Sequence, residues 1–198
     1  MFNFLKKKAV ITDGTYIIEN VPFFTQQLTE QTYEQEGFAS LEEASYWAPR
    51  ICGLVCLKEV INFYTQQTIP LKQLLDYGLS IKAYREDVGW IHSGLVAIAN
   101  HYGINGKPQS IKKNLEELVP HLQKQNLIVA SIGAGFKFGR GGHLVVVYGA
   151  AVSNNKVEKL YVHHSASTPS YEWPAYEIDR KKFLKYFSKR GNIITWQV

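Results

Sequence analysis

Cysteine is scarce in this chain: its 198 residues hold only Cys52 and Cys56. Two thiols four positions apart give no disulfide framework of the secreted kind. The C-x3-C spacing also lacks the second cysteine pair or nearby histidine that a structural zinc site needs. No metal and no cofactor is implied. There is no glycine-rich phosphate fingerprint, no internal repeat and no low-complexity tract. No apolar run reaches the length of a membrane span. The opening Met1-Phe-Asn-Phe-Leu5 is too short for the apolar part of a signal peptide, and Lys6, Lys7 and Lys8 follow it instead of preceding it. A cytoplasmic location without a membrane partner is therefore expected. The net charge is only +5, fed by Lys6–Lys8 and by six Lys or Arg between Arg180 and Arg190. Such a run reads as a solvated helix face. No nucleic-acid motif accompanies it, so no nucleic-acid partner is expected. With no heptad and no large exposed apolar stripe, the oligomeric state is not legible.

What the chain does have is an apolar content of 45%, enough for one compact domain with its own core. Twelve Tyr, ten Phe and four Trp are spread along it and suit packed sheet and helix layers. Residues 15–24 read as an extended entry that Pro22 confines to an edge. Residues 25–45 are polar and acidic, with Glu30, Glu34, Glu36, Glu42 and Glu43, and read as a surface loop with a short helix. From Cys52 onward Val55, Cys56, Val60, Phe63 and Tyr64 form an apolar stripe at helical spacing. Further helices are predicted over about 70–77, 88–101 and 114–124, the second of them closing through Gly103 and Gly106. The pattern then changes. Strands are predicted at 126–132, 143–149, 159–164 and 192–198, with a helical turn at 183–187. Five glycines between Gly133 and Gly142 make a loop between the first two of these strands. Helices first and strands second is an α+β order.

The chemistry candidates sit where these elements meet. Cys52 follows Pro49-Arg50-Ile51 and opens a helix, where free backbone N–H groups and the positive end of the dipole favour a thiolate. Gly53 leaves the turn uncrowded. Cys56, one turn deeper, reads as core. His143 begins a very apolar strand just after the glycine loop, at the rim of a cleft, and can serve as base to the thiol. His163 and His164 end the next strand, and alternation sends one of them toward His143. His92, His101 and His121 read as surface or packing residues.

Four stretches of the chain together resemble the bacteriocin-processing (double-glycine leader) peptidase branch of the papain-like cysteine peptidases. They are Asn20-Val-Pro-Phe-Phe-Thr-Gln26, Ile51-Cys52-Gly53 through Tyr64, Gly142-His143 through Gly149, and Tyr161-Val-His-His-Ser165. The resemblance implies a papain-like fold over residues 18–198, with 1–17 as an N-terminal extension and a helical first part packed against an antiparallel sheet. It implies Cys52 as nucleophile, His143 as general base and Gln26 in the oxyanion hole, acting on a peptide or protein substrate. Two departures stand out. Gln26 lies 26 residues before Cys52, farther than the pattern has it, so Gln27 and Gln35 stand as alternatives. The Asp or Asn that orients the base is replaced, with His164 at its place and Ser165, Ser167 and Asp179 as other options. The same residues suit a transamidase or deamidase, and the altered third member also suits an impaired peptide-binding module.

Overall fold

The computed structural model describes residues 11–133 and 142–197. Most of the glycine loop predicted between Gly133 and Gly142 lies outside the described residues, as do Lys6–Lys8. In chain order the elements are β1 (Gly14–Ile17), α1 (Leu41–Trp47), α2 (Cys52–Thr65), α3 (Leu71–Ser80), β2 (Tyr84–Arg85), β3 (Gly89–Trp90) and α4 (His92–His101). There follow β4 (Asn105–Ser110), α5 (Val119–Gln123), β5 (Ile128–Gly133), β6 (Gly142–Ser153), β7 (Lys156–His164), β8 (Trp173–Asp179), α6 (Arg180–Tyr186) and β9 (Asn192–Gln197).

The strands form one antiparallel sheet in the order β4-β9-β5-β6-β7-β8, with β1 also paired to β6; β2 and β3 make a separate small hairpin. The long β6 organises the sheet. Its first half, Gly142–Val147, pairs with β5; its second half, Gly149–Val152, pairs with β1 on the side that β5 has left. β1 lies within the stretch set apart above as an extension. On the other side β7 pairs with β6 from Ser153 back to Val146 and stops there. The start of β6, with His143 and Leu144, is thus held on one side only. That open corner is the site described below.

Helix α2 is built as its stripe predicts. Leu54, Val55, Val60 and Ile61 are fully buried, and the helix lies against β6 while α3 and α4 pack on it. It ends where Gln66 takes a left-handed φ of 60°. α1 starts with a capping exchange: Ser40 Oγ accepts from Glu43 N–H while a Glu43 carboxylate oxygen accepts from Ala39 N–H. Burial of Val145, Val146 and Val147 together with Ile193, Ile194 and Trp196 fills the sheet side of the core.

The structure differs from the sequence reading in three elements. The helix expected from residue 88 starts at His92, because residues 84–90 form the β2–β3 hairpin. β4, expected only as the glycine-rich end of a helix, is an edge strand on β9. β8 was not expected at all; it runs along β7 as the opposite edge. Among the described residues no helix is long and apolar enough to cross a membrane.

Candidate active site

Residues Ala48–Arg50 form a single tight helical turn, and the chain enters α2 from Ile51 without a side-chain cap. Leu54 and Val55 N–H both return to the Ile51 carbonyl, which leaves the first two amides of the helix, those of Cys52 and Gly53, for the thiol. The Cys52 sulfur takes hydrogen bonds from the Leu144, Gly53 and Cys52 backbone. Leu144 directly follows His143, at the corner where β7 no longer covers β6. The N-terminus of α2 and the open end of β6 therefore meet at the Cys52 sulfur.

The microenvironment does not favour the thiolate in the way that the helix start suggests. Removal of water raises the Cys52 thiol above its ordinary value of 9.0, and this outweighs the three backbone donors that pull it down. Cys56 is pushed higher still, by burial and then by the charges of Glu59 and Cys52. It is almost fully buried, as its place on the stripe predicts.

His143 is buried, and its pKa falls from 6.5 to about 3, first through desolvation and then through the neighbouring His164, against a backbone hydrogen bond at Ser165. The His143 Nε2 is buried and has no partner among the described residues. A main-chain carbonyl can only accept, so the ring nitrogen that meets Ser165 is the one that carries the hydrogen. His164 meets His143 ring to ring, with centroids 4.7 Å apart and planes tilted by 41°, and Trp173 packs on His164 at 4.9 Å. His164 is fully buried, and its own pKa is lowered chiefly by burial. The ring of His143 thus has a main-chain acceptor at Ser165 and an aromatic neighbour in His164.

Gln26 reaches the turn before Cys52 from a distant part of the chain. It is buried, and its Nε2 donates to the Ala48 carbonyl at 2.5 Å, four residues before Cys52. Its Oε1 is buried without a partner among the described residues. The alternatives are placed elsewhere: Gln27 donates to Glu172 at 2.5 Å, and Gln35 is exposed. The 26-residue interval is accounted for by residues 27–47, which loop out and return through α1. The loop is pinned by Glu36, whose carboxylate pairs with the buried Lys58 and accepts from Leu71 N–H.

Two further groups, Trp90 and Glu172, were not singled out from the sequence, and His163, which was, lies away from the corner. Trp90 donates through Nε1 to the Arg50 carbonyl at 2.8 Å, and its indole covers Gly53. Glu172 gathers donors from two separate segments, as developed below. His163, one of the pair at the end of β7, faces α2 and meets Glu59 at 3.3 Å instead of approaching the corner. A tryptophan after a turn and a glutamate in a loop carry no spacing signal, so nothing in the sequence marked them. Among the described residues no group of three or more His, Cys, Asp or Glu could hold a metal ion.

No protein-family model and no curated protein matches the sequence. Solved structures do. A crystal structure described as a C39-like peptidase from Bacillus anthracis is 16% identical, covers 94% of this chain and 98% of its own, and superposes with a TM-score of 0.61. The peptidase domain of Streptococcus ComA is 20% identical, covers 74% of this chain and 90% of its own, and gives a TM-score of 0.54. At such identities the likeness is one of fold. The chain has the papain-like α+β fold of the C39-like peptidases.

Proposed function

We propose that this chain is a cysteine-dependent peptidase or amide hydrolase acting through Cys52 and His143. The observation that carries the reading is the convergence of a helix-start cysteine and the first residues of β6 on one open corner of a C39-like fold, with the side chain of Gln26 on the turn before Cys52. The neutral thiol and neutral imidazole implied by their shifts suit general-base catalysis in place of a preformed ion pair. His143 takes the Cys52 proton as sulfur bonds to the carbonyl carbon. The oxygen that becomes anionic is met by the Cys52 N–H and by the second Nε2 hydrogen of Gln26, the first being used on Ala48. The C–N bond then breaks as His143 passes its proton to the leaving amine. Water attacks the thioester, giving a proton to His143; the C–S bond breaks and the proton returns to sulfur. In this scheme Ser165 holds the His143 ring through its backbone, and His164 packs against it. A peptide or protein is the substrate class of this scheme, supported by the C39-like fold and by the start of β6, which β7 leaves unpaired.

The test uses p-nitrophenyl acetate, whose ester carbonyl reports acylation without knowledge of the natural substrate. A burst of p-nitrophenolate and one acetyl group on Cys52 are expected, both lost in Cys52→Ala and reduced at least about 100-fold in His143→Ala. Acetylation elsewhere, or a burst indifferent to His143, overturns the reading. A digest of mixed peptides separates hydrolysis from deamidation, through new N-termini against released ammonia. The raised thiol and lowered imidazole also suit an impaired peptide-binding module, for which acylation of Cys52 would be no faster than that of a free thiol.

A further inference from the structure

Glu172 stands in the loop between β7 and β8, about 145 residues from the segment that it contacts. One carboxylate oxygen, Oε1, accepts from Thr25 Oγ1 at 2.8 Å, from Gln26 N–H at 3.3 Å and from Ala166 N–H at 3.4 Å. The other, Oε2, accepts from Gln27 Nε2 at 2.5 Å. Three of these donors belong to the consecutive residues 25–27; the fourth immediately follows Ser165, whose backbone holds the His143 ring. Residues 19–29 belong to no strand or helix. This irregular segment is therefore tied at both its main chain and its side chains to the loop that supports the base.

We propose that Glu172 is a positioning residue that sets the Gln26 amide relative to Cys52 and locks it to the Ser165 side of the site. The proposal rests on the Cys52–His143 reading and assigns Glu172 no contact with substrate. Charge-assisted bonds to a carboxylate are about twice as strong as neutral ones, so one side chain can order two segments. A misplaced oxyanion donor weakens only reactions that build negative charge on oxygen.

Two probes separate that effect from general damage. Acylation by p-nitrophenyl acetate passes through a tetrahedral oxyanion; alkylation by iodoacetamide does not. In Glu172→Ala the acylation rate of Cys52 is expected to fall roughly 10- to 100-fold while the alkylation rate stays within about 3-fold, with the ratio carrying the effect. Glu172→Gln keeps an acceptor at Oε1 and should recover most of the ratio. The double variant Thr25→Val/Gln27→Leu, which changes two non-core positions, loosens the same contacts from the other side and should lower the ratio several-fold. It serves if Glu172→Ala does not fold. On a Gln26→Ala background Glu172→Ala should cost nothing further. An unchanged ratio in folded Glu172→Ala or in the double variant overturns the proposal, as does equal loss with both probes. If wild-type Cys52 is not acylated at all, it is the Cys52–His143 reading that fails.

Discussion

Glu59 Oε2 and His163 Nδ1 lie 3.3 Å apart between α2 and β7, with both side chains almost completely buried. Phe24 N–H donates to the other Glu59 oxygen at 3.3 Å, and the His163 ring is flanked by Phe23 and Tyr148. The carboxyl pKa is raised by burial and held back by His163. This pair belongs to the body of the domain, one helical turn beyond Cys56 and away from the start of α2. Removing one partner leaves a buried polar group unmatched, at a cost of about 3–5 kcal/mol. Glu59→Ala and His163→Ala should each lower the urea midpoint accordingly. Glu59→Leu/His163→Leu should recover much of the loss, because matched apolar groups remove both penalties. Single variants with wild-type stability would show that the pair carries no weight.

How much of this was legible beforehand follows from what each residue must satisfy. The stripe Val55, Cys56, Val60 and the run Leu144–Val147 announce their elements because both faces, or one full helical stripe, are buried. β4 and β8 are edge strands, each with an outer side in solvent, and carry Lys107-Pro108-Gln109 and Trp173-Pro174-Ala175, where alternation is faint and proline is tolerated. The β2–β3 hairpin has only two residues in each strand, below the length at which periodicity shows. At the candidate site, Cys52 and His143 stand out from their local settings, and Gln26 only through the resemblance to the double-glycine peptidases. The main-chain acceptor at Ser165, the Trp90 cover and the Glu172 contacts do not, because backbone groups and lone loop residues leave no pattern in sequence.

Cys52 and Cys56 should differ sharply toward iodoacetamide. Cys52 is partly accessible, whereas Cys56 is buried and its thiol is pushed up further. Preferential modification of Cys52 is expected, read by mass spectrometry of the digested protein. Because its thiol pKa is also raised, the rate should keep climbing as pH passes 9.0, where an ion-paired thiolate would already have levelled off near neutrality. A plateau at pH 6–7 would contradict the neutral pair described here. Equal labelling of both thiols would remove the distinction between them.

Trp90 joins the start of α2 to the end of α3, and its glycine neighbours make that contact sensitive to single atoms. A Cβ at Gly78 would stand 2.7 Å from the indole and 2.9 Å from Ile98 Cδ1; one at Gly53 would stand 3.1 Å from the indole. Gly78→Ala should therefore cost about 1–3 kcal/mol by overpacking, even though alanine is the better helix former. Gly53→Ala should cost less and act more on Cys52, since the displaced indole also holds the Arg50 carbonyl. Trp90→Phe should relieve part of the Gly78→Ala cost in a double-mutant cycle while slowing acylation of Cys52 on its own. Additive stabilities would mean that the indole is not the atom group in conflict.

The lowered pKa of His143 makes acid sensitivity a direct readout of its burial. In the unfolded chain its imidazole titrates near 6.5, in the folded one at about 3. Between those values the unfolded state binds a proton that the folded state refuses, so stability is whole above pH 6.5 and is lost as pH falls toward 3. At ~1.4 kcal/mol per unit the full loss is on the order of 5 kcal/mol. His92, His121 and His164 are lowered too, mainly by burial, and add to the same slope. Comparing wild type with His143→Gln cancels their share. Urea unfolding at pH 7, 6, 5 and 4 should show the variant losing less stability per unit than wild type. Its advantage should grow steadily below pH 6.5. Parallel slopes would mean that the His143 ring takes up its proton in the folded protein, and the base would then be a group exposed to water instead of one enclosed beside Ser165 and His164.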